Sequence, residues 1–345
     1  MHWPKWKKNY TSINQNLSAN LVTGYKLFTG FMIRASFGYN TFTVDEISIT
    51  PRAAIDPANS TFAFSQFANS YRGNWIVEPQ AEYTCTILME NYKRCWVLRF
   101  RSAITAAPSM QGSGYTSDLL LSSLSAAGSV TASNSLELYH YNAFFGRINY
   151  NWGERYLFNL SARRDGSSRF GPGRRFANFG AIGAAWIFTS ERWLHIPFIS
   201  FGKLRGSYGI TGNDQVGDYK YLDLWSSTAG PYQGIPGLRP SALFNPDFNW
   251  EKNKKFEAAV EHGFLNDKIA LSASWYRHRS SNQLVSYLLP NQTGFASVTE
   301  NLPALVQNTG WEIVLQSSLI AGKKFSWRSS LILPFLPTSL FLSRV

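Results

Sequence analysis

Reactive side chains are few in this chain, and they are scattered. The five histidines are His2, His140, His195, His262 and His278, and none of them stands at zinc-like spacing from a second ligand. His262 is close in sequence to Glu257 and Glu261, but on a strand the period-two alternation turns the ring away from both carboxylates. That pattern predicts a structural histidine. Cys85 and Cys95 are the only cysteines, and in an oxidising compartment they could close a disulfide. Asn213, Asp214 and Asp218 offer the hard oxygens that calcium takes, although their spacing is not that of an EF-hand loop. The block Asp165-Gly166-Ser167-Ser168-Arg169-Phe170 ends a strand and opens a loop. It reads either as a ligand contact or as a structural loop in which Asp165 and Arg169 pair with their surroundings and Gly166 takes a positive φ. Tyr219, Tyr221, Trp225 and Tyr232 could stack on sugar rings, or could pack the long segment that holds them. These observations assign no catalytic residue, metal ligand or cofactor, and the chain does not read as an enzyme.

A net charge of +12 invites a nucleic-acid reading. The cations are instead distributed along strands, at Arg34, Arg147, Arg163, Arg205 and Lys255, rather than gathered into a phosphate-binding run. Luminal and loop-facing cations explain them without a nucleic-acid partner.

The elements that must position these residues are β-strands. In the stretch from Arg155 to Arg164, Tyr156, Phe158, Leu160 and Ala162 fall on one face while Leu157, Asn159, Ser161 and Arg163 fall on the other. About nine to eleven residues is the length a strand needs to cross a bilayer at the usual tilt. Aromatics make up 16% of the chain, enough for interfacial girdles, yet mean hydropathy is −0.19. A barrel reconciles the two, because only alternate residues need face lipid. No run of about eighteen apolar residues exists, which excludes a helical span.

About twelve strands can be placed, at Leu17–Tyr25, Phe31–Thr43, Arg72–Thr84, Arg94–Ile104, Tyr141–Asn151, Arg155–Arg164, Ala177–Thr189, Lys203–Thr211, Glu251–Phe264, Lys268–His278, Gln307–Ile320 and Phe325–Leu333. Short turns and long connectors mostly alternate between them, as in outer-membrane barrels. The fold class expected is therefore all-β: a transmembrane antiparallel β-barrel forming one domain over residues 1–345. A soluble sugar-binding β-sandwich would share the alternation and the aromatics, but its strands would be shorter.

Several blocks resemble the SusC/RagA family of TonB-linked outer-membrane receptors. They are Phe145-Gly-Arg-Ile-Asn-Tyr150, Arg163-Arg-Asp-Gly-Ser-Ser-Arg-Phe-Gly171, Leu204-Arg-Gly-Ser-Tyr-Gly-Ile-Thr-Gly-Asn213, Asn245-Pro-Asp-Phe-Asn-Trp-Glu251 and Gln307-Asn-Thr-Gly-Trp-Glu312. Their order and spacing are similar to the family's barrel domain from about residue 9 to 333. The resemblance implies that this chain is a partial β-barrel, about twelve strands of a barrel of about 22 in the outer membrane that imports oligosaccharides or peptides. It also implies energy from a TonB complex and a SusD-like lipoprotein over the mouth.

Departures from that pattern shape further expectations. Met1–Tyr10 carries no apolar signal-peptide core, and no plug segment precedes the strands, so the chain reads as a fragment that transports nothing alone, or as a remnant of a broken gene. The family-like pattern fades between Cys85 and Met110, and Pro334–Val345 abandons alternation for a Pro/Leu/Phe mixture. Frameshifts near both places would account for this.

Overall fold

A computed structural model describes residues 8–55, 62–87, 90–194, 196–228, 232–235, 237–245, 247–321, 325–335 and 338–342. His2 and His195 lie outside them. The elements are almost all strands: β1 (Asn9–Phe28), β2 (Phe31–Thr50), β3 (Phe64–Ile87), β4 (Glu90–Ala106), β5 (Ser109–Ser113), β6 (Ser129–Ser133), β7 (Leu136–Trp152), β8 (Tyr156–Ser167) and β9 (Phe176–Trp186), followed by β10 (Ile199–Asn213), β11 (Leu224–Ser227), β12 (Leu238–Ala242), β13 (Glu251–Phe264), β14 (Ile269–Leu288), β15 (Ser297–Ala321), β16 (Ser326–Phe335) and β17 (Thr338–Leu342).

One sheet follows the path β1-β2-β3-β4-β7-β8-β9-β10-β13-β14-β15-β16, so each expected strand lies on the path in sequence order. Its ends, β1 and β16, are not paired with each other among the described residues, and the barrel is not closed. These strands belong to one hydrogen-bonded sheet, whereas a sandwich divides its strands between two packed sheets. β11 and β12 form a separate two-stranded sheet.

Both places where the sequence departs from the family pattern hold strands. β4 fills most of the doubtful window, with Trp96, Leu98 and Phe100 exposed at alternate positions and Val97 buried between the first two. Cys85 and Cys95 are both free, and the disulfide that they could have closed is not formed. At the other end, β16 includes Pro334, opposite Glu312 on β15. Proline is accommodated because β16 ends the sheet path and has no further strand to which it must donate. The register then runs on, from Phe335 opposite Trp311 to Thr338 opposite Asn308 in β17. The tail therefore continues along β15.

The chain divides into two compact units. The first comprises Met1–Thr23, Ala35–Glu78 and Phe100–His140. Its small core is Ala63, Tyr115 and Leu121, with the Tyr115 hydroxyl 2.6 Å from Ser65 Oγ. The second comprises Gly24–Arg34, Pro79–Arg99 and Tyr141–Val345, and holds the features described next.

Candidate functional site

Cross-strand register sorts the second unit into two chemically distinct faces. Trp152, Tyr156, Trp186, Leu204, Val260, Ala273, Ile313 and Leu333 stand opposite one another in turn, an apolar row crossing seven strand pairings. Phe144, Phe158, Leu160, Ile182 and Leu331 belong to the same face and are exposed. On the reverse face the corresponding row is Arg147, Ser161, Ala181, Gly209, Lys255, His278 and Asn308. There Arg205 Nε donates to Glu261 Oε1 at 2.9 Å and its Nη1 to Glu257, while Lys203 Nζ sits 3.2 Å from Glu261. A trough of about 410 Å³ runs beside Arg205, lined by Asn149, Asn159 and Ser207 over Gly183 and Ala185. A sheet whose exposed apolar face is continuous, and whose other face carries paired charges, is built to separate hydrocarbon from water.

Three of the motif blocks, those that contain Phe170, Gly212 and Trp250, meet where the strands enter the long loops. Phe170 and Phe248 are fully buried, Trp250 nearly so, and Phe179 completes the cluster. The Phe170 ring centroid lies 4.8 Å from that of Trp250 and 5.6 Å from that of Phe248, within the usual range for aromatic pairs. Trp250 Nε1 donates to the Arg175 carbonyl at 3.2 Å, so its polar edge is satisfied. Gly212 matters through space: a Cβ there would come 2.0 Å from the Phe179 ring. Gly166 acts in the same way, with an added Cβ landing 2.4 Å from Asn142 Oδ1, and it lies within β8 rather than at the positive φ expected of it.

Polar contacts fasten the same loops. The Arg169 guanidinium donates to Asp218 Oδ1 and to the Asp214 carbonyl, both at 2.9 Å, and Asp165 is paired with Arg163, which also reaches the Tyr141 hydroxyl. Asn245 Nδ2 donates to the Thr299 carbonyl, and Asn301 bridges Asn249 and Asn282. These partners bear on the calcium idea. Asp218 is neutralised by Arg169, while Asn213 donates to Glu251 and accepts from the Gln215 amide. Among the described residues no group of three or more His, Cys, Asp or Glu side chains is placed for a metal.

The four aromatics suggested as sugar contacts do not form one platform. Tyr221 packs against the Phe170–Trp250 cluster, and Tyr219 is half-buried with a left-handed backbone (φ 62°). Trp225 and Tyr232 instead stand exposed in the β11–β12 hairpin.

A second anchor, absent from the sequence reading, lies at the short-turn end. Glu191 is buried in the connector between β9 and β10, where its carboxylate accepts from the Tyr156 hydroxyl at 2.6 Å and from Arg155 and Trp186 Nε1, each at 3.2 Å. The Tyr156 hydrogen bond, followed by those of Trp186 and Arg155, holds this carboxyl below its ordinary range. Nearby, Leu265, Asn266 and Asp267 are all left-handed (φ 53°, 56° and 60°), and Asp267 exchanges hydrogen bonds with Ser200. Only the spatial meeting of two turns reveals such contacts, so no local pattern announces them.

Over residues 3–341 the sequence matches the TonB dependent receptor-like, beta-barrel family. The chain belongs to that family. It is 34% identical over 195 residues to the TonB-dependent receptor SusC of Bacteroides thetaiotaomicron, covering 54% of this chain and 19% of that protein. TonB-dependent receptor P39 of Formosa agariphila is 32% identical over 190 residues, covering 55% and 18%. In fold the chain superposes on the structure of the RagAB peptide transporter with a TM-score of 0.89 at 22% identity, covering 97% of this chain and 37% of that one. The matched part of the chain covers only about a fifth of the length of these two curated relatives. The SusC/RagA resemblance is borne out, and the family is one of receptors rather than of enzymes.

Proposed function

We propose that this chain is part of the barrel wall of an outer-membrane importer of oligosaccharides or peptides. The observation that carries the reading is the pair of opposed rows described above, apolar on one face and largely polar on the other from β7 to β15. Membership in the TonB-dependent receptor family supports import driven by a TonB complex, and similarity to SusC supports a SusD-like lipoprotein at the mouth. Peptides enter the proposal because the RagAB neighbour is a peptide transporter. Tyr219 and Tyr221, at the root of the longest loop, are the solute contacts proposed here. Alone, the chain would leave the edges of β1 and β16 unpaired and would transport nothing.

The test is uptake of fluorescent oligosaccharides and oligopeptides by cells carrying the whole receptor, with and without a working TonB complex. Uptake that vanishes with the receptor and with the TonB complex supports importer function. Uptake indifferent to either one overturns it.

A further inference from the structure

We infer that the long-loop end of the apolar face, on β13 and β14, binds the phosphate-bearing headgroup of an anionic lipid in the leaflet on that side of the membrane. Cross-strand register gathers the cations. Lys254 stands opposite Arg279, and Arg277, opposite Phe256, is the neighbouring residue on the same face of β14. Lys252 continues that face of β13, and both lysines are exposed. Like charges set directly opposite one another destabilise a sheet unless something neutralises them. The wall does not supply it. The residues paired with these four from either side are Ile210 and Gly212 on β10, Ser281 on β14, and Gln307 and Thr309 on β15, and none is acidic. Among the described residues none of the four cations has a carboxylate partner. Gln307 Oε1 accepts from Arg279 Nε at 2.6 Å, which orients the guanidinium and leaves its two terminal nitrogens for an anion. On the reverse face, by contrast, Lys203 and Arg205 are matched by Glu257 and Glu261.

Depth selects a lipid as the occupant. On the same face, toward the short turns, Tyr208 stands opposite Phe256 and Trp275 opposite Trp311, with the Phe256 and Trp275 rings 5.7 Å apart and Trp311 53% exposed. Such an aromatic belt marks the level of the headgroups. The span agrees. From Phe264, at the short-turn end of this face, to Lys254 is ten residues, about 34 Å of strand, which at a tilt of about 40° rises about 26 Å, against an apolar band about 25 Å tall. β13 and β14 are also interior to the sheet path, so the cations lie in the body of the wall rather than at an edge that another strand would join. A phosphate here accepts from the Arg277 and Arg279 forks and from the Lys254 ammonium, while its acyl chains lie along the aromatic belt. A soluble anion would gain the charge contacts and none of the apolar ones.

This inference rests on the reading of the chain as barrel wall, and the experiment separates the two. The whole receptor in uncharged detergent is titrated with dansyl-labelled phosphatidic acid, and with dansyl-labelled diacylglycerol as the neutral probe, binding being read as energy transfer from tryptophan. The expected result is a preference for phosphatidic acid that falls more than tenfold in the Lys254→Gln, Arg277→Gln, Arg279→Gln variant, with diacylglycerol binding unchanged. A control with Arg192→Gln and Lys268→Gln, cations of the short-turn side, should bind as wild type does, and inorganic phosphate should not displace the lipid. If the triple variant loses its heat-modifiable migration, Lys254→Gln alone, at an exposed position, carries the test. It should cost about fivefold, because a basic group near an anionic headgroup is worth ~1 kcal/mol. Equal affinity of wild type and variants, or displacement by inorganic phosphate as readily as by unlabelled phosphatidic acid, overturns the lipid site and leaves the barrel-wall reading standing. A wild-type receptor that leaves cell envelopes without detergent overturns both.

Discussion

The two ends of the strands β7 to β10 are fastened by different physics. At the long-loop end, four aromatic rings from β8–β9, β9 and the segment before β13 make a private hydrophobic core. At the short-turn end a single carboxylate, Glu191, gathers three donors from two turns. Loop length explains the contrast. A segment as long as Asp214–Trp250 cannot be ordered by turn geometry alone, because the entropy of fixing its backbone, about 1–2 kcal/mol per residue, has to be offset by burial. The turn at Gly153–Arg155 is set by its left-handed residues, Gly153 and Glu154, and needs only a cap.

If that contrast is right, removing a ring should cost far more than removing a charge. Trp250→Ala deletes a side chain that is 2% exposed and is predicted to destabilise the loop cluster by about 3–5 kcal/mol. The measurement is external proteolysis of receptor in outer-membrane vesicles. Cleavage should appear within residues 214–250 while the barrel keeps its heat-modifiable migration, and a loop that stays protected would break the comparison. Arg169→Ala tests the polar part of the same anchor. It strips Asp218, whose side chain is 9% exposed, of its guanidinium, at an expected ~1.5–3 kcal/mol. Proteolysis should then be intermediate, and restored protection in the Arg169→Ala, Asp218→Asn double variant would show that the uncompensated carboxylate was the cause.

The contrast also separates what was legible in the sequence from what was not. Lipid on one face enforces alternation, so Tyr156 to Arg163 declares a strand and its faces without tertiary information. Even β4 keeps the signal in Trp96, Leu98 and Phe100, although Arg and Lys neighbours blur it. The aromatic cluster was hidden because Phe170, Phe179, Phe248 and Trp250 meet only once the β8–β9 and β10–β13 registers are known. The β11–β12 hairpin was lost among the glycines and prolines of its segment, where the two-residue turn at Gln233–Gly234 looked like another irregular break. Pro334 misled for a related reason. Its meaning depends on whether a strand lies beyond it, and none does on this path.

The smallest effect expected is at the short-turn end, and its pH dependence has a definite sign. Glu191 has its folded-state pKa lowered, first by the Tyr156 hydroxyl and then by Trp186 and Arg155, from an ordinary 4.5. A carboxyl of this kind contributes stability that is fully present above its unfolded value and is lost as pH falls through the lower folded value. Heat-modifiability of the receptor measured across roughly pH 3 to 7 should therefore fall on the acid side in the wild type. Glu191→Gln keeps the side chain's shape but removes the charge, and so should start slightly less stable at neutral pH and lose part of that acid dependence. The long-loop protease pattern should not change with it. An acid profile identical to wild type would mean that the carboxylate is a bystander and that turn geometry alone holds the β7–β8 and β9–β10 connections together.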